Sequence, residues 1–410
     1  MADQSVEPLL ATKCAPEVGE CRHMSFTYLD HNATTPLAPE AFEAMRPWFM
    51  ERFGNASSAY ALGHLAEGAV VAAREQAAAL AGCSPAEIVF TSGGTESLNQ
   101  AVRGAWESFP ARRHLVLTAV EHPALRALAA WWRQQGGTAT EVGVDGAGRL
   151  DLTALAAAVS GDTALVAVIA ANNESGVLSP VVEAGCIARA CGALFLVDAT
   201  QAAGRIPIDF TAWGADLLAL GAHKFHGPKG VGLLVIRRGV RLKPLMLGGS
   251  QERGRRGGTE NVPGLVGLGK AAALALAALP AMDRVAALRD LLEGRILAEI
   301  PDTRIHGADA PRLPNTCLVG FADIEGEALQ LRLAELGICV STGSACSTGQ
   351  REPSHVLRAM GVPASHARGT VRFSLGRGTT EAEISRVADL LPGLVAALRS
   401  QGPMASVTTS

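Results

Sequence analysis

The chain has 410 residues, 48% hydrophobic and 18% charged, which marks it as globular rather than disordered overall and predicts a large core shared between two domains. A formal charge of −3, from 36 basic and 39 acidic residues, argues against a nucleic-acid surface as the main function. No apolar run reaches the ~20 residues that cross a bilayer, so no membrane role is expected.

Residues 1–25 carry Asp3, Glu7, Glu17 and Glu20 without an apolar core. They fit neither a signal peptide nor an Arg-rich transit peptide, so a loose extension and a cytoplasmic protein are expected. From residue 69 onward, alanine-rich helix-like segments alternate with short apolar runs at 88–90, 115–117, 165–169, 194–197 and 217–218. Continuous apolar runs between helices predict strands buried on both faces, hence an α/β fold with a mostly parallel sheet. Each run leads into polar residues: 91–95, Glu121-His122, Asn172-Asn173-Glu174, 198–201 and His223-Lys224. Ligands of such sheets gather at the carboxyl ends of strands, so these clusters on one rim predict one site.

A Gly/Arg-rich loop follows at 253–259, then a helical stretch over 264–300 interrupted by Pro280. Shorter strands are expected at 316–321, 338–340 and 370–375, and a final helix at 381–399. This reads as a large domain over 26–263 and a smaller α+β domain over 264–400. The segment near 26–40 joins the small domain, and 401–410 is a frayed tail. The eight cysteines, at 14, 21, 83, 186, 191, 317, 339 and 346, form no CxxC pair, and no disulfide framework is expected. Cys186, Cys191 and Cys339 are expected to pack as small hydrophobes. Cys14 and Cys21, with His23, fit either a metal-binding tail or a silent extension, and the second is favoured.

Lys224 follows the apolar Leu217-Leu218-Ala219-Leu220 and precedes the turn Gly227-Pro228. At the end of a buried strand, desolvation lowers a lysine pKa and makes the amine nucleophilic. Asp198 ends the run Leu194-Phe195-Leu196-Val197 in the same way. An amine for an aldehyde and a carboxylate for a pyridinium nitrogen are what pyridoxal phosphate (PLP) requires of a protein. Taken alone, the two positions fit a surface lysine beside a turn and a strand-end aspartate equally well. The strand-to-helix turn at 91–97 offers free amides to a phosphate. His122 fits a stacking, proton-moving imidazole or a hydrogen-bonded rim histidine. Cys346 stands among small residues in 341–349, as a mobile reactive thiolate or as an incidental cysteine in a linker. Arg372, on a strand among apolar neighbours, either pairs with an internal acid or grips a carboxylate.

The ordered motifs at 28–36, 53–55, 91–97, 121–124, 172–174, 197–201, 223–224, 257–259 and 343–346 together resemble those of cysteine desulfurases. These belong to the class V branch of fold-type I PLP enzymes, and the resemblance covers everything but the first residues and the tail. The loop 341–353 resembles the group with a long mobile cysteine loop. Segments 251–261 and 352–356 look most like the nitrogen-fixation type, with the housekeeping iron–sulfur type as runner-up. The resemblance implies a homodimer that removes sulfur from L-cysteine, releases L-alanine and leaves a persulfide on the nucleophile, Cys346. An iron–sulfur scaffold protein is the implied acceptor, with Cys346 a transient cluster ligand through its persulfide. Lys224 would carry the cofactor as a Schiff base, Asp198 would pair with its ring nitrogen, and Gln201 with its ring oxygen. His122 would stack on the ring and move protons. Gly94, Thr95 and His223 would hold the phosphate beside Gly221 and Ala222, with Thr259 reaching in from a second subunit. Asn173 and Arg372 would bind cofactor oxygen and substrate carboxylate. One position departs from the pattern: many relatives have a phosphate-binding serine where this chain has Gly221. The alternatives are tRNA thiolation, a selenocysteine lyase, a PLP aminotransferase of the same fold, or a non-catalytic sulfur carrier that uses only Cys346.

Overall fold

The computed structural model describes residues 26–342 and 353–401; Cys14, Cys21 and Cys346 lie outside the described residues. The chain enters through β1 (Thr27–Tyr28) and then builds a seven-stranded sheet. Its strands are β2 (Ile88–Thr91), β3 (His114–Thr118), β4 (Thr138–Val142), β5 (Thr163–Ile169), β6 (Leu194–Asp198), β7 (Leu217–Gly221) and β8 (Gly232–Ile236). The order is β2-β8-β7-β6-β5-β3-β4. β4, β3, β5, β6 and β7 are parallel, whereas β8 runs antiparallel to both β7 and β2.

Alternate residues of each strand feed opposite faces, as the two-residue period requires. Leu115, Leu117, Leu165, Leu196 and Leu217 pack with Leu98, Val102, Leu125 and Trp132 from helices Gly94–Ser108 and Pro123–Gln134. Val116, Val166, Val168, Val197 and Leu218 face the other way, into a core with Val70, Ala73, Leu265 and Leu268. Both faces are therefore covered, which is why these strands read as unbroken apolar runs. The run at β8 was not expected, although all its residues are buried. The edge strand β4 was also missed, because its TATEV sequence is polar and largely exposed.

Helix Ala61–Ala81 buries Ala66, Val70, Ala73 and Ala77, spaced three or four residues apart on one face, and stops at Gly82 with φ 64°. It packs on helix Val262–Ala277 with close backbone approach: a Cβ on Gly269 would lie 2.6 Å from Ala73 Cα. That helix belongs with the large core, whereas Met282, Val285, Leu288 and Leu292 of helix Met282–Glu299 belong to a separate core with Val319, Val371, Phe373 and Ile384. We therefore place the break between the domains at the turn Leu279–Ala281, one helix later than the 263/264 boundary expected from composition.

The small domain holds β9 (Thr303–Ile305), β10 (Thr316–Phe321), β11 (Ile338–Cys339), β12 (Ser341–Thr342) and β13 (Thr370–Ser374). Four of them form an antiparallel sheet in the order β12-β13-β10-β9. β1 pairs in parallel with β11, and Asp30 bridges Ser374, so the entering segment is tied to this domain. Cys317 is buried, but Cys191 and Cys339 are only half-buried and Cys186 is exposed. Cys186 therefore corrects the expectation of a packed residue: it sits on the outer face of helix Val181–Ala190, whose Ala184 and Ala188 face the core. No single helix among the described residues is long and apolar enough to cross a membrane.

Candidate active site

The ends of β2, β3, β5, β6 and β7 carry the predicted polar clusters, and parallel pairing from β3 to β7 puts those on one rim. At the end of β2, Gly93 has φ 156° and ψ −178°, a backbone state that essentially only glycine adopts. It starts helix Gly94–Ser108 without a side-chain cap, so the first-turn amides at Gly94 and Thr95 point outward unpaired by the helix. A Cβ on Gly221 would lie 3.4 Å from Gly94 N, 3.6 Å from His223 Cδ2 and 3.6 Å from Thr200 Cγ2. The bare Cα of Gly221 thus borders the same concavity as the amide and the imidazole. Thr200 Oγ1 is buried there without a hydrogen-bond partner. Burial pushes His223 down to about 4, so this imidazole is neutral near pH 7, and Nδ1 pairs with Thr34 Oγ1 at 3.1 Å.

Lys224 lies in the turn Ala222–Lys224 directly after β7. Its Nζ donates to Asn32 O at 2.5 Å and Ala33 O at 2.6 Å. Burial, then the positive charges of Arg205 and Arg372, lower its pKa to about 7. Asp198 is buried at the end of β6, where one carboxylate oxygen accepts from Thr200 N at 3.0 Å. Asp198 and Lys224 both act on the titration of His122, which burial lowers overall. His122 caps helix Pro123–Gln134: its Nδ1 accepts from Ala124 N at 3.2 Å, so the neutral ring carries its proton on Nε2.

Gln201 is oriented by its neighbours. The buried Arg205 donates to Gln201 Oε1, to Gln201 O at 2.7 Å and to His31 O at 2.9 Å. With the amide oxygen held, the Nε2 end turns to Asn32 O at 2.9 Å, the same carbonyl that Lys224 meets. Asn32 is the hub here, donating from Nδ2 to Thr316 Oγ1 at 2.9 Å and to Asn173 O at 3.2 Å. No role had been assigned to Asn32, Arg205 or Thr200 from sequence; the polar run Asp30-His31-Asn32 after the apolar Tyr28-Leu29 was the available signal.

Arg372 takes the internal acid of its two alternatives, with Nη2 pairing to Asp30 at 2.8 Å and Nη1 donating to Asn173 O at 2.8 Å. Its Nε is buried without a hydrogen-bond partner among the described residues. Beside Asn173, Glu174 is fully enclosed; burial pushes its carboxyl up to about 7, and Ser354 Oγ donates to it at 2.5 Å. Ser354 also caps helix His355–Ala359, so the segment after the cysteine loop is tied to the site floor. His355 Nε2 reinforces this at Glu121 O, 2.9 Å away.

Thr259 is exposed on the Gly/Arg-rich loop. That loop is anchored by Glu252, which holds a left-handed φ of 48° and makes two bonds to Arg74, at 2.7 and 2.9 Å, and one to Phe90 N at 3.1 Å. Both side chains of the pair are largely buried, at 14% and 4% exposure. Glu252→Ala is expected to leave the largely buried Arg74 charge with only the Ile88 carbonyl and cost about 3–5 kcal/mol. Urea unfolding checks this, and a loss under about 1 kcal/mol would show the loop to be held otherwise.

The chain matches the family model "Aminotransferase class-V" over residues 27–387. It is 50% identical over 381 residues to "Cysteine desulfurase" of Trichormus azollae, covering 93% of this chain and 95% of that protein. It is 47% identical over 382 residues to "Cysteine desulfurase NifS" of Azotobacter vinelandii, with 93% and 95% covered. The solved "NIFS-LIKE PROTEIN" superposes with a TM-score of 0.85 at 37% identity, over 91% of this chain and 100% of the other. These matches establish that the chain belongs to the cysteine desulfurases of the class-V aminotransferase family.

Proposed function

We propose that this cysteine desulfurase works with PLP held in the rim cleft and stores the sulfur of L-cysteine on Cys346. The observation that carries the reading is the half-buried Lys224 amine, its pKa lowered to about 7, set electrostatically against Asp198 and His122. PLP, when bound, supplies an aldehyde for the substrate amine and a ring that takes up the electron pair released at Cα. Asp198 would hold the ring nitrogen, Gln201 the ring oxygen and Lys224 the aldehyde. Gly94, Thr95 and His223 would hold the phosphate beside Gly221 and Ala222, with Thr259 of the partner subunit completing the cradle. His122 would cover the ring, neutral, with its Nε2 proton available. Arg372 and Asn173 would receive the substrate carboxylate. Lys224 Nζ, a free base near neutral pH, would take the Cα proton. Cys346, as thiolate, would bond to the substrate Sγ as the Cβ–S bond breaks, and the carbon fragment, protonated at Cβ, would leave as alanine.

A homodimer is supported by the exposed Phe42, Phe49, Met50, Phe53 and Leu65, apolar surface clustered on one stretch of chain. The acceptor would be an iron–sulfur scaffold protein in the cytoplasm, of the nitrogen-fixation kind given the likeness to NifS. Persulfide on Cys346 would then be a transient cluster ligand.

The test is to give the holoenzyme L-cysteine and analyse both products and protein. Alanine is expected with one added sulfur atom on the peptide holding Cys346, and no keto acid. Keto-acid formation without that added sulfur would favour an aminotransferase. A pH series adds a further expectation. Aldehyde capture by the apoprotein should rise with pH through about 7, where Lys224 is half deprotonated, and level off about one pH unit higher, whereas an ordinary lysine keeps gaining free base past 10.5. Stopped-flow absorbance after adding PLP reads the rate, and a rise continuing past pH 9 would contradict the lowered pKa.

A further inference from the structure

The Thr200 hydroxyl is the one polar group in this concavity that the chemistry above leaves without a task. Its Oγ1 is buried without a partner among the described residues, a costly state for a hydroxyl unless something else fills it. Its surroundings define what that partner is. A Cβ on Gly94 would stand 3.1 Å from Thr200 Oγ1, so the hydroxyl lies against the uncapped start of helix Gly94–Ser108. The bare Gly221 faces Thr200 Cγ2, Gly94 N and His223 across ordinary contact distances. Backbone amides, an imidazole and a hydroxyl thus converge where the helix dipole favours an anion, and Gly221 brings no side chain of its own. Thr200 is fixed in place by its own N–H, which donates to Asp198 Oδ1 at 3.0 Å. That bond places the hydroxyl between the carboxylate for the ring and the amides for the phosphate.

We propose that Thr200 donates its Oγ1 hydrogen to the cofactor phosphate and so replaces the hydroxyl that Gly221 cannot offer. This rests on the PLP reading above. The two positions are interchangeable sources of one hydrogen bond, since a serine side chain at 221 has room and would enter the same concavity.

The test compares apoprotein affinities for PLP and for pyridoxal, which lacks the phosphate, by cofactor absorbance and fluorescence. Thr200→Val keeps the shape and removes the hydroxyl; it is expected to weaken PLP binding about ten- to a hundredfold, as for one lost bond to a charged group, and to leave pyridoxal affinity unchanged. Thr200→Ser should keep the wild-type affinity. Gly221→Ser added to Thr200→Val should recover most of the loss. Inorganic phosphate should raise the melting temperature of the wild-type apoprotein more than that of Thr200→Val. If the wild type prefers PLP and Thr200→Val keeps that full preference, the assignment of Thr200 is overturned and the cofactor reading stands. Equal loss for PLP and pyridoxal also overturns it, by making Thr200 a packing residue. A wild type that binds PLP no more tightly than pyridoxal overturns the cofactor reading and this assignment with it.

Discussion

Cys346→Ala is expected to bind PLP and L-cysteine with near wild-type affinity and to lose alanine production by three to five powers of ten, about 4–7 kcal/mol of barrier. Binding uses the rim residues, none of which is a thiol, whereas breaking the Cβ–S bond needs a nucleophile at sulfur. The described cysteines offer no substitute. Cys317 is buried, with its thiol pushed well above the ordinary value by burial. Burial pushes the Cys83 thiol up to about 12, and Cys339 is raised as well. Cys186 is exposed, but it rides on the outer face of helix Val181–Ala190, away from the core that the helix packs on. Alanine release, sulfide release and the cofactor absorbance together read the outcome. An undiminished alanine rate would show that sulfur leaves Cβ without this thiol and would sink the role of Cys346; pyruvate with sulfide in place of alanine would instead mark β-elimination.

Lys224→Ala is expected to lose both covalent cofactor attachment and turnover, the latter by at least about three powers of ten. In the proposed reading the amine would supply the attachment point and, near neutral pH, a free base at the end of β7. Lys229 is the rival by sequence, but it is exposed beyond Pro228, without the burial that frees an amine of its proton. Borohydride reduction followed by peptide mapping separates them. Cofactor fixed to Lys229 in the wild type, or to any lysine in Lys224→Ala with activity retained, would overturn the assignment.

The chemistry-bearing residues were legible because strands buried on both faces read as apolar blocks, and the polar residues that follow each block stand at one rim. Lys224, Asp198 and His122 were singled out as candidates this way. β8 escaped because it follows a Gly/Pro turn so closely that the turn obscured the new run. β4 escaped because an edge strand need not be apolar. Composition locates helix Val262–Ala277 without saying which surface it covers; in the fold its small residues fit against helix Ala61–Ala81.

Local pattern therefore determined the α/β class and the rim of polar residues, and it put forward Lys224, Asp198 and Cys346 as candidates for amine, carboxylate and nucleophile, since each of these readings depends on neighbours a few residues away. Only the tertiary structure decided how they are set. Arg372 pairs with Asp30 across 342 positions, and Lys224 meets the Asn32 carbonyl across 192. The meeting of Thr200, Gly94 and Gly221 likewise depends on β6, β7 and β2 lying in one sheet, with β8 between β7 and β2. Such contacts are fixed by which surfaces bury each other, and that is a property of the packed chain, not of any short segment in it.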